Sequence, residues 1–267
     1  MLTNSQVTQF EVFGFLVLKG MLTPREIEKA WNDFDIGLAA AQEGMDRSGI
    51  RGQLNWSNLR PETPFLASLL EDNRFFGVAK QVLGEDSVGC YANSNSFDGD
   101  RTEWHPDTVH PDWRGIKFAF YLQPLKRTSG ALRFIPGSHK EPLLSDIKKV
   151  ALKESNDGAI DTSGLNVDEV PAFAAESEPG DVVLFDNHTW HASYGGGKNR
   201  RMCSLGYFAS PKTRWQDAAV KSMVESETQL VSKFPHLARH PHWLSNNSGD
   251  PVRARWIASL RKFGFVQ

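Results

Sequence analysis

The sequence predicts a mainly β protein, with an antiparallel core that is closed or sandwiched and helices flanking it on both sides in the chain. Three observations carry this. Between Val88 and Phe208 the apolar residues recur with a period of two, the spacing of strands. Glycine and proline divide that stretch at Gly130, Pro136-Gly137, Pro179-Gly180 and Gly195-Gly196-Gly197, where turns belong. Helical spacing is confined to the two ends, so strands do not alternate with helices as in a parallel sheet. A chain of 267 residues fits a single domain. Its parts are a helical N-terminal part (1–87), a β-core (88–210) and a C-terminal helical segment (211–267).

Taken in order, Val7 to Leu18 begins with helical spacing and ends in a strand-like Gly14-Phe15-Leu16-Val17-Leu18. Thr23-Pro24-Arg25-Glu26 then opens a helix: Thr23 suits an N-cap, Pro24 the first turn, and Glu26 completes a capping box. This helix reaches Ala41, with Ile27, Ala30, Trp31 and Phe34 on one stripe. Residues 44–64 are polar and glycine-rich, hence a loop. Pro64 to Leu83 reads as one amphipathic helix closed by Gly84. Strands follow at Val88–Phe97, Ile116–Gln123, Ala131–Ile135, Asp181–Asp186 and Arg201–Phe208, with 145–178 an excursion lacking either period. Helices return at Arg214–Phe234 and Val252–Phe263.

Composition narrows the function. A net charge of -2 and a pI near 6.5 give no basic excess for nucleic acid or an anionic membrane. The opening MLTNSQVTQFEVFGFLVLKG lacks the basic start and unbroken apolar run of a signal peptide. No stretch is apolar for the roughly 18 residues a spanning helix needs. Cys90 and Cys203 are the only cysteines, which suits a reduced, cytoplasmic protein without a disulfide framework and excludes thiolate zinc. The partner implied is a small-molecule substrate.

The chemistry centres on Trp104-His105-Pro106-Asp107. On a strand, residues i and i+2 share a face, so His105 and Asp107 can grip one ion, with Trp104 as an apolar wall beside them. With one distant histidine they make a 2-His-1-carboxylate triad, which leaves adjacent positions open on non-haem Fe(II). His188 and His191 compete for the third place, and periodicity alone does not choose between them. Tyr91, Asn93 and Asn95 alternate with Cys90, Ala92 and Ser94, so both faces of that strand carry polar groups. One of them then lines a pocket, with Asn93 or Asn95 beside cosubstrate or substrate. Gly195-Gly196-Gly197-Lys198 lacks the frame of a phosphate-binding loop and reads as a hairpin.

The string Gly130-Ala131-Leu132-Arg133-Phe134-Ile135-Pro136-Gly137-Ser138-His139 resembles a signature of the phytanoyl-CoA dioxygenase family. Trp104-His105-x-Asp107 is similar to that family's first metal motif, Pro179-Gly180-Asp181 to the strand before its last ligand, and His191-Ala192-Ser193 to that ligand's own motif. The opening Phe10–Leu18 and Leu22–Ile27 are similar as well, so the resemblance spans roughly residues 7 to 210 in the family's order. It implies a double-stranded β-helix, or jelly roll, and an Fe(II)- and 2-oxoglutarate-dependent dioxygenase that hydroxylates a small organic molecule while releasing succinate and CO2.

Carried over by residue, the resemblance makes His105, Asp107 and His191 the iron ligands and gives Arg201 the distal carboxylate of 2-oxoglutarate. Ser193 would donate to that same carboxylate. Arg200 would point to the opposite face, and His139 would be structural. Asp107 argues against halogenation, for which relatives replace the carboxylate by a small residue. The reading from a different class is a non-oxidative, cupin-like metal isomerase or binding module, which would need the triad but not Arg201. Substrate choice falls to residues 44–64, 108–115, 145–178 and the C-terminal helices. Arg51, Arg60, Arg114 and Lys117 hint at an anionic or zwitterionic substrate. Oligomeric state is left open.

Overall fold

A computed structural model of the chain describes residues 1–43, 52–99, 101–151, 153–154, 160–161 and 169–266. Arg51 and parts of the expected loops, 44–51, 155–159 and 162–168, lie outside the described residues, as does Asp100 of the Gly99-Asp100 turn.

The chain opens with α1 (Asn4–Phe13), which Thr3 caps and Gly14 ends in the left-handed conformation at φ 83°. β1 (Phe15–Leu18) follows directly. α2 (Pro24–Gln42) starts at the expected capping box, with Thr23 and Glu26 bonding reciprocally. β2 (Gly52–Ser57) lies inside the stretch read as loop. Its polar residues conceal a strand because one face meets a cavity instead of a core.

The helix expected over 64–83 is two, α3 (Pro64–Ser68) and α4 (Asn73–Leu83). Asp72 separates them by capping α4 through the backbone N–H of Arg74, a bond that a helix interior cannot offer. β3 (Val88–Asp98), β4 (Arg101–His105), β5 (Gly115–Tyr121) and β6 (Leu132–Phe134) follow. The excursion carries α5 (Leu143–Ala151), the two-residue strands β7 (Lys153–Glu154) and β8 (Ile160–Asp161), and β9 (Phe173–Ala175). β10 (Val182–Asp186), β11 (His191–Tyr194) and β12 (Arg200–Phe208) complete the core. α6 (Arg214–Lys233), a 3-10 turn at Pro235–Leu237, α7 (Pro241–Ser245) and α8 (Pro251–Phe263) end the chain.

Two antiparallel sheets face each other as a jelly roll, with strand orders β1-β10-β5-β12-β3-β2 and β4-β11-β6-β9. The N-terminal part is therefore not purely helical, since β1 and β2 form both margins of the larger sheet. Three apolar clusters separate the layers. Phe34, Trp56, Phe75, Phe118, Leu205 and Trp256 pack the outer face of the larger sheet under the helices. Phe15, Tyr121, Phe134, Val183 and Phe185 fill the space between the sheets. Trp104, Trp190, Leu144 and Ile147 bury the back of the smaller sheet under α5. Each side chain of this size contributes about 1.5–3 kcal/mol through burial, so the sandwich holds its sheets firmly. No helix among the described residues is long and apolar enough to cross a membrane.

Candidate metal centre and its cavity

His105 ends β4 and His191 begins β11, and the two are direct register partners. Asp107 is not on the strand. It sits in the turn just past β4, which swings its carboxylate back beside the two rings. One ligand atom from each of His105, Asp107 and His191 lies within 4.8 Å of the others. Each ring is oriented by its backbone: Nδ1 of His105 is 2.7 Å from the Glu103 carbonyl, and Nδ1 of His191 is 2.9 Å from that of Thr189. An imidazole donating from Nδ1 keeps a lone pair on Nε2, the arrangement a bound divalent metal needs. Two such nitrogens and one carboxylate fit Fe(II) chemically.

The charges agree with that fit. Burial, with His105 next to it, pushes His191 down to about 3, so the ring is neutral at physiological pH. Burial alone would raise Asp107, but the Lys117 ammonium together with His191 and His105 outweighs it and holds the carboxyl at about 2. Lys117 Nζ lies 3.3 Å and 3.4 Å from the two Asp107 oxygens, and the Asn187 amide donates to Asp107 at 3.2 Å. Lys117 was legible only as one of several basic residues.

His188 is excluded by its bonds. Its Nδ1 is 3.0 Å from Asp186 and its Nε2 is 2.9 Å from the His110 carbonyl, so neither nitrogen is free. Burial works to lower its pKa, yet the Asp186 carboxylate leaves it raised. Trp104 is not a wall of the site. Alternation turns it to the other face of β4, beneath α5.

The two adjacent arginines lie on opposite faces of β12. Arg200, Met202, Ser204 and Gly206 share the inner face of β12, while Arg201, Cys203, Leu205 and Tyr207 share the outer face. Arg201 therefore stacks on Trp31 and Phe34 of α2 and pairs with Asp35 at 2.5 Å. Arg200 is buried inside, over the Phe97 ring, with Nη1 donating to the Gly130 carbonyl at 2.9 Å. It lines an inner cavity of about 90 Å³ together with His105, His191, Asn95, Tyr121 and Thr102.

Ser193 is buried, and its hydroxyl meets Thr102 at 3.1 Å, so it supports the cavity through Thr102. Asn95 lines the inner cavity and donates to Asn55. Asn93 lines a wider cavity of about 550 Å³ that shares Gln53, His105, Lys117 and Met202 with the inner one. Leu230, Phe234 and Leu237 form its far wall. Gln53 and Thr102 carry no sequence signal: β2 lacks apolar alternation, and Thr102 lies ahead of the His105-x-Asp107 motif on β4. Arg114 is exposed, and Arg60 donates to the His236 carbonyl. Both cysteines are buried and free, and burial raises each thiol to about 12.

Residues 10–203 match the phytanoyl-CoA dioxygenase family. The ectoine dioxygenase of Bordetella bronchiseptica is 25% identical over 215 residues, which is 72% of this chain and 70% of that protein. The ectoine dioxygenase of Streptomyces coelicolor is 25% identical over 263 residues, covering 90% of this chain and 83% of that one. Among solved structures, EctD from S. alaskensis with 2-oxoglutarate and 5-hydroxyectoine superposes with a TM-score of 0.57 at 21% identity, over 78% of this chain and 76% of that chain. HygX from Streptomyces hygroscopicus, with nickel and 2-oxoglutarate bound, gives 0.56 at 18% identity, over 79% of this chain and 88% of that one. These structural likenesses concern the fold, the jelly roll described above.

Proposed function

The chain belongs to the phytanoyl-CoA dioxygenase family and is an Fe(II)- and 2-oxoglutarate-dependent dioxygenase of a small organic molecule, and from that premise we propose how its residues divide the work. His105, Asp107 and His191 hold the iron. When bound, iron with 2-oxoglutarate and dioxygen supplies the oxidation: the cosubstrate loses CO2 to become succinate, and a substrate C–H is hydroxylated.

Arg200 receives the distal carboxylate of 2-oxoglutarate. A guanidinium can meet a carboxylate through two parallel N–H bonds, and its site is shielded by Phe97, Tyr121 and Leu132. Thr102 joins it, held in place by Ser193, and Asn95 lines the same cavity. Lys117 keeps Asp107 ionised and ready to ligate. The wider cavity, walled by β2, β3 and the C-terminal segment, takes the substrate. Relatives named for ectoine point to a compact polar metabolite of that kind.

The observation that carries this reading is the convergence of three ligand atoms within 4.8 Å beside a cavity that Arg200 also lines. The test is to mix the protein anaerobically with Fe(II) and 2-oxoglutarate, record the visible metal-to-ligand charge-transfer band, then admit air and ectoine. Succinate formed in step with hydroxyectoine supports it. A band with no ectoine turnover moves the search to other compact metabolites, and no band at all overturns the assignment of the triad.

A further inference from the structure

Across the inner face of the larger sheet, Phe185, Lys117, Gly206 and Tyr91 form one cross-strand row on β10, β5, β12 and β3. Gly206 is the gap in that row. A Cβ there would lie 2.1–2.7 Å from atoms of the Tyr91 ring, far inside contact distance, so the absent side chain is what lets the ring lie over β12. Neighbouring strands are about 4.8 Å apart, so Tyr91 and Lys117 start roughly 10 Å apart and lean into one space. Both line the 550 Å³ cavity next to Asp107, and both also line a connected cavity of about 210 Å³.

Both groups are donors. Burial first, then the charge of Asp107, raises the Tyr91 pKa well above its ordinary value, so the phenol keeps its proton. Lys117 has three N–H bonds, and its contacts to Asp107 at 3.3–3.4 Å use one side of the ammonium. Two donors aimed at one space from either side of a glycine suit an anionic acceptor. The opposite wall mixes the apolar Met223, Leu230, Val231 and Leu237 with Glu227, whose carboxylate is paired with Arg239. That wall is fixed, because Arg239 bonds Glu227 of α6 and donates through Nε to the Cys90 carbonyl, next to Tyr91, at 2.8 Å.

Resting on the function proposed above, we propose that Lys117 and Tyr91 form a carboxylate clamp, with Gly206 as its spacer. The substrate is then a compact aliphatic carboxylate whose carbon skeleton faces α6. The clamp contacts substrate and is separate from the Arg200 end of the inner cavity, which serves the cosubstrate.

The test uses the full chain with Fe(II) and 2-oxoglutarate under anaerobic conditions. Its probes are L-proline and L-prolinamide, which differ by replacement of the carboxylate with an amide. Binding is read from perturbation of the charge-transfer band, with no turnover needed. L-Proline is expected to bind at least tenfold more tightly than the amide. Tyr91→Phe and Lys117→Met should each cut that preference to threefold or less, with 2-oxoglutarate affinity changed less than threefold in Tyr91→Phe. Gly206→Ala, which drives the ring off β12, should act as Tyr91→Phe does. If Gly206→Ala fails to fold, Tyr91→Phe alone decides. A normal band with no preference in the wild type, or a preference that survives in Tyr91→Phe, overturns the clamp. A Lys117→Met effect on 2-oxoglutarate alone also overturns it. Absence of the band in the wild type is a failure of the metal assignment instead.

Discussion

His105 and His191 are register partners on adjacent antiparallel strands, with ring centroids 4.4 Å apart. Two of the three ligands are thus held by the hydrogen-bond ladder of the smaller sheet, and only Asp107 depends on a turn. Metal affinity should accordingly follow the ladder. His105→Ala or His191→Ala is expected to abolish the charge-transfer band with Fe(II) and 2-oxoglutarate. His188→Ala, which loses bonds to Asp186 and His110, should keep the band and lower stability. Spectra and thermal melts of the three variants check this, and loss of the band in His188→Ala alone would reverse the assignment.

The two adjacent arginines should separate cleanly. Breaking a buried charge-assisted contact costs about 2–4 kcal/mol, so Arg200→Ala is expected to raise the apparent KM for 2-oxoglutarate by roughly 30-fold or more. Arg200→Lys should recover only part, because a point charge does not reproduce the fork. Arg201→Ala should move that KM less than about threefold while costing about 1 kcal/mol of stability, from lost stacking on Trp31 and Phe34. Saturation curves for both alanine variants decide it.

Asp107 and Lys117 neutralise each other in the metal-free protein. Asp107→Ala should therefore abolish hydroxylation and also lower metal-free stability by about 1–3 kcal/mol, since it leaves a half-buried ammonium unpaired. Adding Lys117→Met should restore part of that loss. Thermal unfolding of the single and double variants gives the comparison, and a double variant less stable than Asp107→Ala would contradict it.

Acid stability should report on Glu26, whose pKa is lowered to about 2, first by its bond to Arg74, with burial opposing. A carboxyl with a depressed folded pKa stabilises above its unfolded value and loses that contribution as pH falls. Glu26→Gln should thus be less stable than wild type near neutrality, by about 0.5–1.5 kcal/mol. The difference should close between about pH 4.5 and pH 2. Denaturant titrations across that window measure it, and a difference that persists at pH 2 would place the effect elsewhere.

Much of this molecule was legible in its sequence because patterns of period two and 3.6 are local. The sandwiched antiparallel core and the capped α2 came from such patterns, and the jelly roll and the full triad from the resemblance to the family's motifs. What escaped depended on tertiary surroundings. β2 looked like a loop because Gln53 and Asn55 face a cavity, so the usual apolar alternation is missing. Trp104 adjoins His105 in sequence but not in space, because strand alternation turns it to the back of β4. The orientation of the two arginines had a signal in the sequence. Arg201 alternates with Cys203, Leu205 and Tyr207, an apolar set that helices cover, while Arg200 alternates with Met202, Ser204 and Gly206. The polar face of β3, with Asn93 and Asn95, already marked which side of the sheet was the pocket. Lys117 had no signal, since only the fold brings it to Asp107.

The margins of the larger sheet also bear on how the protein is made. β1 pairs with β10, so Phe15 meets Phe185, and the opposite margin is β2 against β3. During synthesis the first strand emerges long before its partner, and its row of backbone N–H and C=O groups has nothing to bond until residue 186 has left the ribosome. Pairings this distant in sequence are slow to form, and an unpaired apolar strand such as Phe15-Leu16-Val17-Leu18 invites association with other chains. α1 ends one residue before β1 and α2 begins soon after it, so the segment waits between two helices that form from local contacts alone.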